Sequence, residues 1–255
     1  MIKSITFCQF SGILLLYGML AVQNVNAQER LEPDVIPPDD PKTYSDMQER
    51  NGIGFSVQLH DFGAGLGGQY RRVLGPLTQG VFEFQMTTLK DASEQSFNFF
   101  GRQLIPNKYN RVLASPLMIG LKHRIFSESL ADNFRVFLQG MAGPAFTFVY
   151  PYFDDVNNLG YRTDQFPNDI FQGWGDGYFT WGTAGHASIG IDFGDNFSRI
   201  QTVTFGYYFL YYPEGIQVSE PVTPPAAQGQ SSSPGDGPIN LFGSPKISFV
   251  FGGMW

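Results

Sequence analysis

Residues 134–152 read FRVFLQGMAGPAFTFVYPY, and the period of this stretch decides the fold. Phe134, Val136, Leu138, Gly140, Ala142, Pro144, Phe146, Phe148, Tyr150 and Tyr152 fall on one face, while Arg135, Gln139, Gly143 and Thr147 fall on the other. A period of two over this length is the mark of a strand with one apolar side. Aromatics crowd its C-terminal end and mark a boundary there.

The same alternation recurs along the chain. Residues 178–193 set Phe179, Trp181, Ala187, Ile189, Ile191 and Phe193 against Thr180, Gly182, His186, Ser188, Gly190 and Asp192. Residues 199–212 set Val203, Phe205, Tyr207, Phe209 and Tyr211 against Thr202, Thr204, Gly206 and Tyr208. Residues 113–126 and 80–90 repeat the pattern, with Lys122 and Arg124 in the first and Glu83 in the second on the polar side. The segment 53–73 changes phase near Asp61, which predicts two strands joined by a turn at Asp61–Gly65; one long bulged strand is the alternative. With the C-terminal strand the count is eight, the even number usual in single-chain bacterial barrels.

Connection lengths separate by side. The turns near 74–79, 127–133 and 194–198 are short, whereas 91–112, 153–177 and 214–240 are long. From a periplasmic N-terminus, all three long connections fall outside the cell and these short turns in the periplasm, as in transmembrane barrels. Alternation alone does not say which face looks outward, because a soluble barrel shows the same period. The polar face decides: it is mostly Gly, Ser, Thr, Gln and Ala, which suits a crowded lumen, and lacks the many Lys and Glu that a water-facing sheet carries. The expectation is an all-β, eight-stranded antiparallel transmembrane barrel, with the apolar face toward lipid.

Composition agrees. Charged residues make up only 15%, against about a quarter in ordinary soluble domains, while Gly (30 residues) and aromatics (16%) run high. A formal net charge of −7 argues against nucleic acid as a partner. Residues 1–27 carry Lys3, an apolar stretch from Ile13 to Val22 and a small-residue cleavage site at Val25-Asn26-Ala27, the pattern of a secretory signal. Its roughly ten apolar residues fall short of the ~20 that cross a bilayer as a helix. Cys8, the single cysteine, leaves with the signal, which excludes disulfides and thiolate chemistry in the mature chain. Residues 28–51 are Pro-rich and acidic and read as a flexible periplasmic segment; the barrel occupies 52–255.

The chain ends Lys246-Ile247-Ser248-Phe249-Val250-Phe251-Gly252-Gly253-Met254-Trp255. This ending resembles the C-terminal signal of outer-membrane barrel proteins, with Phe249, Phe251 and Trp255 as the residues that the insertion machinery would read; Gly253 departs from the usual bulky residue. In architecture, residues 53–255 resemble the small eight-stranded outer membrane protein A and W types, found also among Bacteroidota-like bacteria. The expected location is the cell outer membrane, with outer-membrane lipid and lipopolysaccharide as neighbours and a monomeric state. The resemblance implies no specific activity.

With the polar face inward, the lumen holds Arg71, Glu83, Lys122, Arg124, Arg135, Asp192 and Lys246, most of them toward the periplasmic end. Single charges in so narrow a space need partners, so Glu83 and Asp192 are expected within reach of the cations. His186-Ala187-Ser188 has a sharper reading, because lipid A deacylases are similar barrels with a His-x-Ser pair and a carboxylate, here Asp192. Against it, alternation turns all three residues into the lumen, and the family's acid is a Glu further downstream, where none follows until Glu214.

His60, His123 and His186 form no metal-ligand spacing. Asp154, Asp155, Asp164, Asp169 and Asp176 match no calcium loop, since position 12 from Asp155 is Phe166. Arg102, Lys108 and Arg111 could meet lipopolysaccharide phosphates. The Gly-rich run 63–68 has no helix behind it and reads as a barrel turn rather than a phosphate loop. No cofactor or metal is expected, and the functional expectation is a non-enzymatic structural or binding role through the outer loops. Transport of a small or hydrophobic solute is the alternative, and a lipid A-modifying hydrolase the remaining one.

Overall fold

The computed structural model describes residues 42–91, 94, 96–99, 102–105, 108–154, 167–168, 170–194, 196–219 and 237–255. In chain order the strands are β1 (Asn51–His60), β2 (Gly63–Val73), β3 (Thr78–Leu89), β4 (Phe97–Phe99), β5 (Arg102–Leu104), β6 (Asn110–Arg124), β7 (Phe134–Pro151), β8 (Tyr178–Phe193), β9 (Arg199–Ile216) and β10 (Ile239–Met254). All but the small β4–β5 hairpin close into one antiparallel barrel of eight strands in the order β1-β10-β9-β8-β7-β6-β3-β2. The seam pairs β1 with β10 from Gly52↔Met254 to His60↔Lys246, so no barrel strand keeps an open edge.

Local chemistry places the turns. Between β1 and β2 only Asp61 and Phe62 are unpaired, and Gly63 takes φ 137°, a conformation that residues with a Cβ rarely adopt. The segment 53–73 is therefore two strands, with a turn tighter than the expected Asp61–Gly65. Leu74–Leu77 turns through Gly75 and Pro76, with Leu74 N–H donating to the Thr78 carbonyl at 3.0 Å. The connections 74–77, 125–133 and 194–198 and the chain start lie at one end of the barrel; the three long connections and the two-residue β1–β2 turn lie at the other.

Orientation follows the alternation. Phe205 (58% exposed) and Ile119 (69%) look outward, whereas Arg135 (2%) and Lys246 (1%) are enclosed. The expected assignment of faces holds along β3, β6, β8, β9 and β10. The interior is layered. Tyr44, Val73, Ile200, Val250 and Met254 form an apolar seal at the short-turn end, with Met47 and Phe197 packed against it. Above lie the charged and amide side chains. The half nearest the long loops is apolar again, with Met118, Met141, Val149, Leu210, Tyr212 and Phe242 among its members.

Three expectations need correction. The lumen is not uniformly small and polar: Met118, Met141 and Leu210 point inward beneath the loops, where strand positions are covered on the inner side as well. Phe148, Tyr150 and Tyr152 are buried although they continue the outward row of the exposed Phe146. Within the segment read as flexible, residues 42–50 belong to the folded body, since Tyr44–Asp46 forms a 3-10 turn and Tyr44 is seated in the barrel end. The export signal and residues 28–41 lie outside the described residues.

Candidate functional site in the barrel lumen

Strand register brings four strands to one carboxylate. Asp192 of β8 forms ion pairs with Lys122 of β6 and, at 3.3 Å, with Arg71 of β2; it accepts a 2.5 Å hydrogen bond from Thr202 of β9. Arg71 also donates to Thr202 Oγ1 at 2.9 Å and to Gln69 Oε1 at 2.6 Å. Tyr44 reaches up from the chain start, its hydroxyl donating to Asp192 Oδ2 at 3.4 Å. Burial, and secondarily the Asp192 charge, holds the Tyr44 phenol above its ordinary range and so protonated as the donor.

The other expected pairing takes a different form. Glu83 accepts from the amides of Gln58 and Gln69, both at 2.9 Å, and from Gln85; it has no cation in ion-pair contact among the described residues. Lys246 lies 3.5 Å from Gln58 Oε1 and 4.9 Å from the Tyr208 ring centroid, so the Gln58 amide links the two charges. Amides can do this because each presents a donor and an acceptor. The glutamines were legible as inward-facing residues but carried no sign of their partners.

Arg124 and Arg135 tie the short-turn end together. Arg124 donates to the Lys42 carbonyl at 2.7 Å and pairs with Asp132 at 3.0 Å. Arg135 donates to the carbonyls of Asp132 and Gly194, at 2.5 and 2.6 Å, and lies 4.2 Å from the Phe197 ring centroid. Phe197 meets Tyr44 edge-on at 6.0 Å. Replacing Tyr44 by Phe removes only the long hydroxyl bond and is expected to cost under about 1 kcal/mol in urea unfolding.

The three hydrolase candidates do not form a triad. Asp192 is taken up by Lys122, Arg71 and Thr202, and the hydroxyl of Ser188 and both ring nitrogens of His186 are buried without a hydrogen-bond partner, so neither bonds the other. A nucleophile needs a base in contact, and the base an orienting acid. Of the remaining histidines, His60 bonds Thr87 at 2.7 Å and His123 bonds Thr78 at 2.9 Å. Among the described residues no group of acids, His or Cys is placed to hold a metal ion.

At the long-loop end, Lys108 pairs with Glu94 at 2.7 Å and Arg111 lies 5.0 Å from the Tyr152 ring centroid. The side chain of Arg102, and Asp155, Asp164 and Asp169, lie outside the described residues. At the seam, Trp255 is tied to β1 by its backbone, with its N–H donating to Asn51 at 2.7 Å and its carbonyl accepting from Arg50 and Asn51, both at 3.0 Å. The Phe251 and Trp255 side chains are exposed on the outer face, and Phe249 is partly so.

Neither a protein-family model nor a curated protein sequence matches the chain. Among solved structures it is similar to Ail, the attachment invasion locus protein of Yersinia pestis, solved in complex with the heparin analogue sucrose octasulfate. That likeness has 10% identity and a TM-score of 0.36, covering 81% of this chain and 96% of Ail. It is also similar to the outer membrane protein OprG from Pseudomonas aeruginosa, with 9% identity, a TM-score of 0.35, and 81% and 95% covered. Likenesses this distant carry no argument about activity; the barrel stands on the chain's own strand pairing.

Proposed function

We propose that the protein is an integral outer-membrane β-barrel, non-enzymatic, with a structural or binding role carried by its long outer loops. One observation carries the reading: every barrel strand turns exposed apolar side chains outward, while Arg71, Lys122, Arg124, Arg135 and Lys246 are enclosed and the outward Arg72 and Arg199 stand near the short-turn end. A monomer in water rarely exposes an apolar patch beyond a few hundred Å². In lipid the same wall is satisfied, and closure pairs the backbone of each barrel strand with both neighbours. The export signal read from residues 1–27 accords with this location.

The loop bases support a built platform rather than loose strings. Lys108 bridges to Ser219, Tyr109 N–H donates to the Val218 carbonyl at 2.8 Å, and Tyr152 N–H donates to the Tyr109 carbonyl at 3.0 Å. Bonds of this kind join all three long connections above the last barrel pairs. Lipopolysaccharide is the proposed neighbour at this height, with Arg111 a better candidate for its phosphates than the paired Lys108.

Solute transport is the second reading, and the filled lumen weighs against it. In planar bilayers the folded protein is expected to give no current above background; discrete conductance steps would move the reading to transport. Unheated and boiled samples in detergent should migrate differently on a gel, because folded barrels resist cold detergent. Identical migration would remove the membrane assignment.

A further inference from the structure

Phe148 and Tyr150 stand at outward positions of β7, yet both are buried. Segment 170–177 covers them. The Trp174 ring lies 5.3 Å from Phe148, which lies 4.9 Å from Phe179 and stacks on Tyr150 at 5.6 Å. A Cβ on Gly173 would come within 2.4 Å of the Tyr150 ring, and one on Gly177 within 2.3 Å of the Phe148 ring, so these two glycines permit the approach. The segment therefore rests on the outside of the barrel wall. It leaves Phe171 82% and Trp174 60% exposed, and the Phe148 ring joins Trp174 to the exposed Phe179 of β8, where Trp181 is open as well.

Height identifies the surroundings. The twelve residue steps of β7 from Phe134 to Phe146, at about 3.3 Å each and a tilt near 40°, rise about 30 Å, which already fills an apolar band about 25 Å tall. Phe148, two steps further, and the segment packed on it consequently lie just above that band, where the headgroups begin. Trp and Tyr favour this boundary, where an apolar ring and a polar edge are both accommodated. From Ile170 to Trp181 the only charged residue is Asp176, so little opposes such placement.

We propose that segment 170–181 is an interfacial anchor, whose partner is the boundary between acyl chains and headgroups in the outer leaflet. The inference rests on the membrane reading above and is continuous with the lipid-facing wall. It assigns the last part of this loop to the membrane rather than to a soluble ligand.

Three tryptophans make the test direct. Trp181→Phe with Trp255→Phe leaves Trp174 as the reporter, and Trp174→Phe with Trp255→Phe leaves Trp181. Each is folded into phosphatidylcholine vesicles whose acyl chains carry bromine close to the headgroup, and heat-dependent gel migration checks folding. Trp174 is expected to lose most of its emission to the bromines and little to aqueous iodide. If Trp181 is quenched by bromine while Trp174 is open to iodide, the anchor is overturned and the barrel stands; if bromine reaches neither, the membrane reading falls as well. Should removing the other tryptophans impair folding, Phe171→Trp with all three native tryptophans changed to Phe reads the same segment and is held to the same outcomes.

Discussion

Asp192→Ala is expected to destabilise the barrel by about 3–5 kcal/mol, the cost of removing one partner from a buried ion pair. The substitution leaves Lys122 and Arg71 enclosed with no carboxylate between them, and Thr202 and Tyr44 lose their acceptor. Urea unfolding followed by tryptophan emission measures the cost. Combining Asp192→Ala with Lys122→Met should recover part of it, because one of the stranded charges is then absent. A loss below about 1 kcal/mol, the range of exposed pairs, would mean that lumen water solvates these charges and that the cluster does not hold the wall together.

Ile119→Arg is expected to cost about 2–4 kcal/mol in vesicles, the penalty for a cation near the middle of the lipid face of a barrel. Ile119 is 69% exposed and stands five residues above the end of β6, well inside the apolar band. Leu74→Arg, on an equally open side chain in the short turn, should cost no more than about 1 kcal/mol, because the penalty fades toward the interface. On a soluble barrel both exposed sites would stay within roughly 0.5 kcal/mol. Equal, small effects at the two sites would therefore sink the membrane assignment without reference to any loop.

The strand faces were legible because side-chain direction is a local property. From Phe205 outward to Lys246 inward, the parity of each residue follows from the pleat, and tertiary contacts do not reverse it. Turn positions were legible for a similar reason: Gly-Pro at 75–76 interrupts pairing whatever lies around it. The candidate site was only partly legible. Inward charges could be named, but the choice of amides rather than cations as partners of Glu83 depends on how β1, β2 and β3 pair, and Tyr44 comes from a stretch whose composition reads as loose.

What the sequence determined by itself is the eight-strand alternation, the apolar outer wall and the inventory of lumen charges, each readable from residues a few positions apart. The partners of those charges, the apolar filling beneath the long loops, the seating of Tyr44 and the fold of segment 170–177 against the wall came from the tertiary structure alone. The physical reason is closure. Once β10 pairs with β1 in a single register, residues far apart in the chain share one small interior, and distances across that interior leave no trace in a period of two.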